Sequence, residues 1–360
     1  LSQTIGAYSL DEVIGRGAMG RVWRGAHLRT NDPVAIKVLH PELVRESQII
    51  QRFVQERELL CRFDHPHLVK VHDLVVEGGR AAIVMELVNG RDLHAELLRA
   101  GTFSPSRAAH VGVQLLGALA TVHAAGVVHR DVKPENILLE GGDVDRVILT
   151  DFGVSRIIDA PPMTSITGVI GTPDYLSPEV IDGGPPTMET DVYASGIVLY
   201  ELLSGFPPFE ADAPWSTLRG HVEEAPARPA GLDEELWSLM ARMLAKDPAD
   251  RPSSVEARAV LEGIEASLEG RPPLPRQRPV RMAPRPSGID RFNPMTAESK
   301  DDGGALFKRL GVVVPVVRGS VPELVSQRPK SVQRSGSICQ CGSRLEPADR
   351  FCDQCGAASR

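Results

Sequence analysis

Between Arg271 and Pro286 six of sixteen residues are proline, and no other feature constrains the fold of this chain so strongly. Each proline lacks a backbone N–H and fixes φ, so neither a helix nor a central strand runs through such a stretch. Any hydrophobic core must therefore lie before about residue 266 or in the last two dozen positions. The chain has 360 residues, enough for two or three domains at about 150 residues each. From Tyr8 to about Ala266, segments of helical and strand period alternate with short turns, which predicts one large domain over 8–266. Residues 267–336 are expected to form a Pro/Arg-rich linker, largely without fixed structure and acting as a semi-rigid spacer. Residues 337–360 form a separate small module.

Charge follows the same division. Residues 1–266 hold 24 Lys+Arg and 38 Asp+Glu, 267–336 hold 13 and 6, and 337–360 hold 3 and 3. The large domain is thus acidic, which argues against a nucleic-acid partner. No run approaches the roughly 18 apolar residues of a membrane span, and Leu1–Leu10 lack the basic-then-apolar order of a secretory signal. A cytoplasmic protein is expected. Position 1 is Leu rather than Met, so the numbering starts at an unusual codon or inside a longer chain.

Near the start, Gly15, Gly17 and Gly20 stand in G-x-G-x-x-G order after Ile14, with Val22 close behind. Glycines let backbone approach a phosphate and present N–H donors without side-chain interference. The same spacing opens dinucleotide-binding folds, but there a helix follows. Here Arg21–Gly25 and Pro33–Leu39 read as strand, turn and strand, which suits a flap over phosphates. The second of these strands carries Ala35 and Lys37. In the next helix the apolar stripe Ile49, Phe53, Leu60 and Phe63 is interrupted by Glu56. A carboxylate on an inward face needs a cation, and Lys37 is the expected partner.

Further on, Val127–Leu139 reads VVHRDVKPENILL and Val147–Val154 reads VILTDFGV. With the glycine flap, Val34-Ala35-Ile36-Lys37 and Gly171-Thr172-Pro173-Asp174-Tyr175, these motifs resemble those of bacterial Hanks-type (eukaryotic-like) serine/threonine protein kinases, in family order and at family spacing over about 8–266. The resemblance implies an α+β, two-lobed fold: an antiparallel β-rich lobe to about Val88, and a helical lobe over about 89–266. It implies ATP and Mg²⁺ (with Mn²⁺ as a substitute) as cofactors, and Ser/Thr hydroxyls of proteins as acceptors.

Carried over residue by residue, Asp131 would orient the acceptor hydroxyl and take its proton, and Lys133 would offset γ-phosphate charge. Asn136 and Asp151 would hold Mg²⁺ through oxygen. Lys37 and Glu56 would form the family's ion pair. Adenine would lie between Val22 and Ala35 above and Leu138 below, bonded to backbone near Glu86 and Val88, with Met85 at the rear. Phe152 and Gly153 would let their segment pivot. Glu179 would pair with Arg251, and Asp191 would brace the catalytic loop. Arg130 would receive a phosphate on the activation segment, where Thr164 and Thr167 are the expected autophosphorylation sites. A scaffold that binds nucleotide without turnover is the alternative. Loss of Lys37, Asp131, Asn136 or Asp151 would favour it, and all four are present. The docking sequence Gly171–Glu179 argues against a small-molecule acceptor.

At the other end, Cys339, Cys341, Cys352 and Cys355 sit within Ile338–Gly356, each pair followed by glycine. They resemble a short zinc ribbon in which four thiolates hold a structural Zn²⁺. The first pair is one residue shorter than the usual knuckle. Such a module more often binds a protein than performs chemistry, so a protein partner is expected for it. Cys61, apart from these, is expected as a packed core thiol.

Overall fold

A computed structural model describes residues 3–17, 19–44, 57–142, 144–151 and 173–279. The small lobe is a five-stranded antiparallel sheet of order β3-β4-β5-β7-β6. Its strands are β3 (Glu12–Gly17), β4 (Gly20–Ala26), β5 (Pro33–Leu39), β6 (Val71–Glu77) and β7 (Arg80–Glu86). The predicted hairpin after the glycines is thus present.

Alternation sorts these strands into two faces. Val34 and Ile36 of β5 join Ala82 and Val84 of β7 in one cluster, whereas Ala35 and Leu39 join Ile83 and Met85 in the main core beside the cleft. Lys37, in phase with Ala35 and Leu39, therefore points to the cleft side. A short hairpin of β1 (Gln3–Ile5) and β2 (Tyr8–Leu10) closes the outer face. It begins ahead of the start at Tyr8 read from the sequence. Ile5 is fully buried in the outer cluster, a burial worth about 2 kcal/mol.

Residues 57–62 are helical, and Leu60 and Phe63 are buried as the apolar stripe requires. Ile49, Phe53 and Glu56 lie outside the described residues. Cys61 is half-buried against the main core, and burial pushes its thiol up.

The large lobe is built on two long helices. Pro105–Ala124 starts with Pro at its first turn and with Ser104 accepting from the Arg107 N–H. Met188–Ser204 is buried on nearly every side, as an all-round apolar helix must be. A small antiparallel sheet lies beside them, with β9 (Ile137–Glu140) between β8 (Gly90–Asp92) and β10 (Val147–Leu149). The lobes are tied behind the cleft: the Val69 N–H donates to the Leu149 carbonyl at 3.0 Å, and the Leu149 N–H to that of His67 at 2.9 Å.

The chain does not leave the large lobe where composition suggests. Leu268 is fully buried, and Leu274 packs against the main core. Residues 271–279 have no regular secondary structure and lie against the lobe. The first part of the expected spacer is therefore docked, because its two leucines and its polar backbone groups find partners on the lobe. Among the described residues no helix is long and apolar enough to cross a membrane.

Candidate active site

The glycines do different jobs. A Cβ on Gly17 would meet nothing within 4 Å, so its surroundings are open to a ligand. A Cβ on Gly20 would lie 2.2 Å from the Val38 carbonyl oxygen, so glycine there is demanded by the crossing of β4 and β5. Phosphate binding alone does not explain that position. Gly15 faces Val22 across the β3–β4 ladder, and Ile14 beside it is exposed. The end of β3 is held by His40, whose ring Nε2 reaches the Gly17 carbonyl at 3.3 Å. Sequence reasoning did not single out His40.

Behind the flap, Lys37 is 7% exposed, and its Nζ lies 2.8 Å from Asp151 Oδ2. Its expected partner Glu56 is outside the described residues. Ala35 and Met85 are buried next to each other across β5 and β7, and Val22, Val88 and Leu138 are partly buried at the edge of the same core. This places the expected adenine-contacting side chains in one apolar layer between the lobes. Glu86, which ends β7, donates its N–H to the Lys70 carbonyl.

Below it, the loop that follows His129 converges on one carboxylate. Lys133 Nζ donates to both oxygens of Asp131 at 2.8 Å, and Asn136 Nδ2 donates to Asp131 Oδ2 at 2.8 Å and to its carbonyl at 2.7 Å. The Asp131 side chain remains 35% exposed, so a hydroxyl group can approach it. The Thr150 N–H and hydroxyl both donate to the Asn136 carbonyl, which sets Asp151 beside Asn136. These two residues supply oxygen donors of the kind a hard divalent cation takes.

Two residues here have left-handed backbone, Arg130 at φ 70° and Asp151 at φ 65°. For non-glycine residues this costs about 1–3 kcal/mol each. The neighbouring interactions outweigh that cost. Asp191, 1% exposed, accepts the His129 N–H at 2.7 Å on Oδ2 and the Arg130 N–H at 2.8 Å on Oδ1. His129, fully buried, spans to the Thr150 carbonyl through Nε2 at 2.8 Å. That carbonyl can only accept, so Nε2 carries the proton and Nδ1 accepts the Asp131 N–H at 3.3 Å. His123 adds a bond from Nε2 to Asp191 Oδ2 and meets Ser254 through Nδ1. His129 stood in the quoted loop motif but was given no role, and no periodicity signals His123.

The remaining support pair forms as expected. Arg251 grips Glu179 with two bonds of 2.9 and 2.8 Å, and Thr190 donates to the same carboxylate. Burial alone would push Glu179 up, but these donors hold it below the usual carboxylate range. Sequence reasoning missed a second contact nearby: the Tyr175 hydroxyl donates to Glu201 Oε2 at 2.6 Å. Phe152, Gly153, Thr164, Thr167, Gly171, Thr172 and the four C-terminal cysteines lie outside the described residues.

A cleft of this kind suits transfer of a charged phosphoryl group, a reaction governed by positioning and charge more than by covalent chemistry. A family model described as Protein kinase domain matches residues 8–262, and the chain belongs to that family. It is 45% identical to the serine/threonine-protein kinase PkaB of Streptomyces coelicolor, over 76% of this chain and 67% of the relative. PkaA of the same organism is 44% identical over 71% of this chain and 50% of the relative. PknA of Mycobacterium tuberculosis is 38% identical over 79% and 67%. The chain therefore spans half to two thirds of the length of these relatives.

Proposed function

We infer that the protein is a serine/threonine protein kinase, transferring the γ-phosphoryl group of ATP to hydroxyl groups on proteins. The observation that carries this reading is the convergence of Lys133 and Asn136 on the half-exposed carboxylate of Asp131, one loop away from the Lys37–Asp151 pair. Asp131 orients the acceptor hydroxyl and takes its proton. Lys133 lies where charge on the moving group needs offsetting. Lys37 fixes Asp151 and, with the flap, the phosphate chain. Mg²⁺ bound through Asn136 and Asp151 would neutralise phosphate charge. Nothing in the site favours the non-catalytic scaffold, since all the groups it would have lost are in place.

The test is phosphate transfer from ATP to the chain itself and to casein, using wild type and Asp131→Asn. Transfer should fall about 10³-fold in the variant, with nucleotide affinity within a few fold. Equal transfer by both proteins would refute the assignment.

The finer roles belong to the same reading. Arg130 would hydrogen-bond a phosphate carried by Thr164 or Thr167, and peptide mapping after ATP treatment should find phosphate on one or both of these threonines. Full activity in the Thr164→Ala/Thr167→Ala double variant would exclude that control. Cys339, Cys341, Cys352 and Cys355 form a donor set suited to structural Zn²⁺ and to recruiting a protein partner. One equivalent of zinc per chain, lost in Cys352→Ser/Cys355→Ser, is the expected result. The cytoplasm is the proposed location.

A further inference from the structure

Residues 271–279 lie in a groove of the large lobe formed by residues 101–103, 204–206 and 229–232. The fit involves backbone, apolar and charged contacts together. The Leu274 carbonyl accepts from Thr102 Oγ1 at 2.7 Å, and Leu274 itself packs into the main core. The Gln277 N–H donates to the Ser204 carbonyl at 2.9 Å. Its side-chain amide pairs with both backbone groups of Ala230, at 3.0 and 3.3 Å. The guanidinium groups of Arg276 and Arg278 lie over the Phe206 ring at 4.4 and 4.8 Å, and Arg271 pairs with Asp233 at 2.8 Å.

Two glycines make room for this segment. A Cβ on Gly205 would lie 2.6 Å from Arg276 Cγ, and one on Gly231 would touch Leu274. Prolines at 272, 273, 275 and 279 favour the extended form in advance, so little chain entropy is lost on docking.

The groove includes the C-terminal end of the Met188–Ser204 helix, whose last carbonyls lack partners within the helix. The docked segment supplies a donor to the Ser204 carbonyl, and Arg276 approaches that of Gly205 at 3.4 Å. One turn earlier the same helix presents Glu201 to Tyr175, in the segment just before Ser177-Pro178-Glu179.

We propose that this groove is a docking site for an extended, arginine- and proline-rich peptide, filled in cis by residues 271–279, and that its occupancy fixes the end of the Met188–Ser204 helix and so the substrate-facing segment at Tyr175. The catalytic domain then extends beyond residue 262, where the family match ends. The substrate-side effect rests on the kinase reading. Occupancy of the groove does not.

The experiment uses the full 360-residue chain, wild type and Leu274→Asp/Gln277→Ala, with a fluorescein-labelled peptide of residues 270–281. The variant, its own segment released, should bind the peptide at least tenfold tighter than wild type does. A peptide carrying the same two changes should not bind. Amides 202–206 should exchange with deuterium at least tenfold faster in the variant and return toward the wild-type rate with added peptide. KM for casein should rise about threefold, with KM for ATP unchanged within twofold.

Equal or absent peptide binding by the two proteins, or unchanged exchange at 202–206, would overturn the docking site. A parallel rise in both KM values would overturn the coupling to the substrate side. Loss of phosphate transfer in the wild type would refute the kinase reading while leaving the binding and exchange results to decide the groove. Should the double variant fail to fold, Gln277→Ala alone is used, and unchanged exchange at 202–206 in it would also overturn the proposal.

Discussion

The two ends of the Met188–Ser204 helix each carry a buried carboxylate, and the two are held in opposite ways. Asp191, in the first turn, accepts two backbone N–H groups and the His123 ring. Both of its oxygens therefore have donors, close to the end of the helix where backbone N–H groups lack partners within the helix. Glu201, near the negative end, accepts the Tyr175 hydroxyl at 2.6 Å. Burial pushes its carboxyl up to about 7, and Glu135, Asp174 and Glu210 nearby push the same way. One helix thus holds a carboxylate well supplied with donors against the His129–Arg130 backbone and a titratable acid against Tyr175. What differs is the supply of donors, not the type of side chain.

The largest expected effect tests the first end. Asp191→Ala leaves the His129 and Arg130 N–H groups buried without their acceptor, at about 1–3 kcal/mol each. It also releases the left-handed turn at Arg130 that aims Asp131. Phosphate transfer should fall at least 100-fold and Tm should drop, whereas Asp191→Asn should keep part of both. Near-normal turnover in Asp191→Ala would show that the loop holds its shape without this brace.

A smaller effect tests the other end. An unfolded glutamate loses its proton near pH 4.3, whereas Glu201 in the fold keeps it to about pH 7. Between these values the folded protein binds more protons, so stability from this group is fully present at low pH and declines as pH rises toward 7. The decline amounts to at most about 4 kcal/mol. Glu201→Gln should be more stable than wild type at pH 8, nearly equal at pH 4.5, and should flatten the curve between. Asp174, raised to about 6 by burial beside Glu210 and Glu135, keeps part of the slope. Denaturant unfolding across pH 4.5–8 measures this, and an unchanged slope in Glu201→Gln would rule out the assignment.

The smallest effect is at Gly205, which ends the helix at φ 82°. Gly205→Ala should cost about 1–2 kcal/mol from the left-handed backbone alone. It should also dislodge Arg276, so amides 271–279 should exchange faster. A Tm loss without that local exchange would separate the backbone cost from the docked segment.

Much of this was legible in the chain because it is written in local patterns. Alternation in β5 puts Lys37 in phase with Ala35 and Leu39, hence on the cleft side. The loop from His129 to Asn136 keeps Asp131, Lys133 and Asn136 within six positions, so their convergence needs only a tight turn. The resemblance supplied the pairing of Glu179 with Arg251 and the brace at Asp191, since no spacing rule joins residues so far apart. His123 carried no signal at all. It lies on a helix that is apolar over most of its surface, and its role depends on Asp191, 68 positions away.

The Pro/Arg-rich linker was expected from residue 267, and within it Leu268 is buried and Leu274 packs against the large lobe. Composition reports that 271–279 cannot be helix or central strand, but an extended segment can still dock where a groove meets its side chains. The same limit applies to Gly20, which fits a phosphate flap by motif yet is required by the Val38 carbonyl of the neighbouring strand. The sequence by itself determined the elements, their inward faces and the short run that brings Asp131, Lys133 and Asn136 together, because each depends on residues a few positions apart. Only the tertiary structure decided how many donors each buried carboxylate meets, which residues are held left-handed and where the proline-rich segment lies. Those outcomes depend on groups that meet only after distant parts of the chain have packed together.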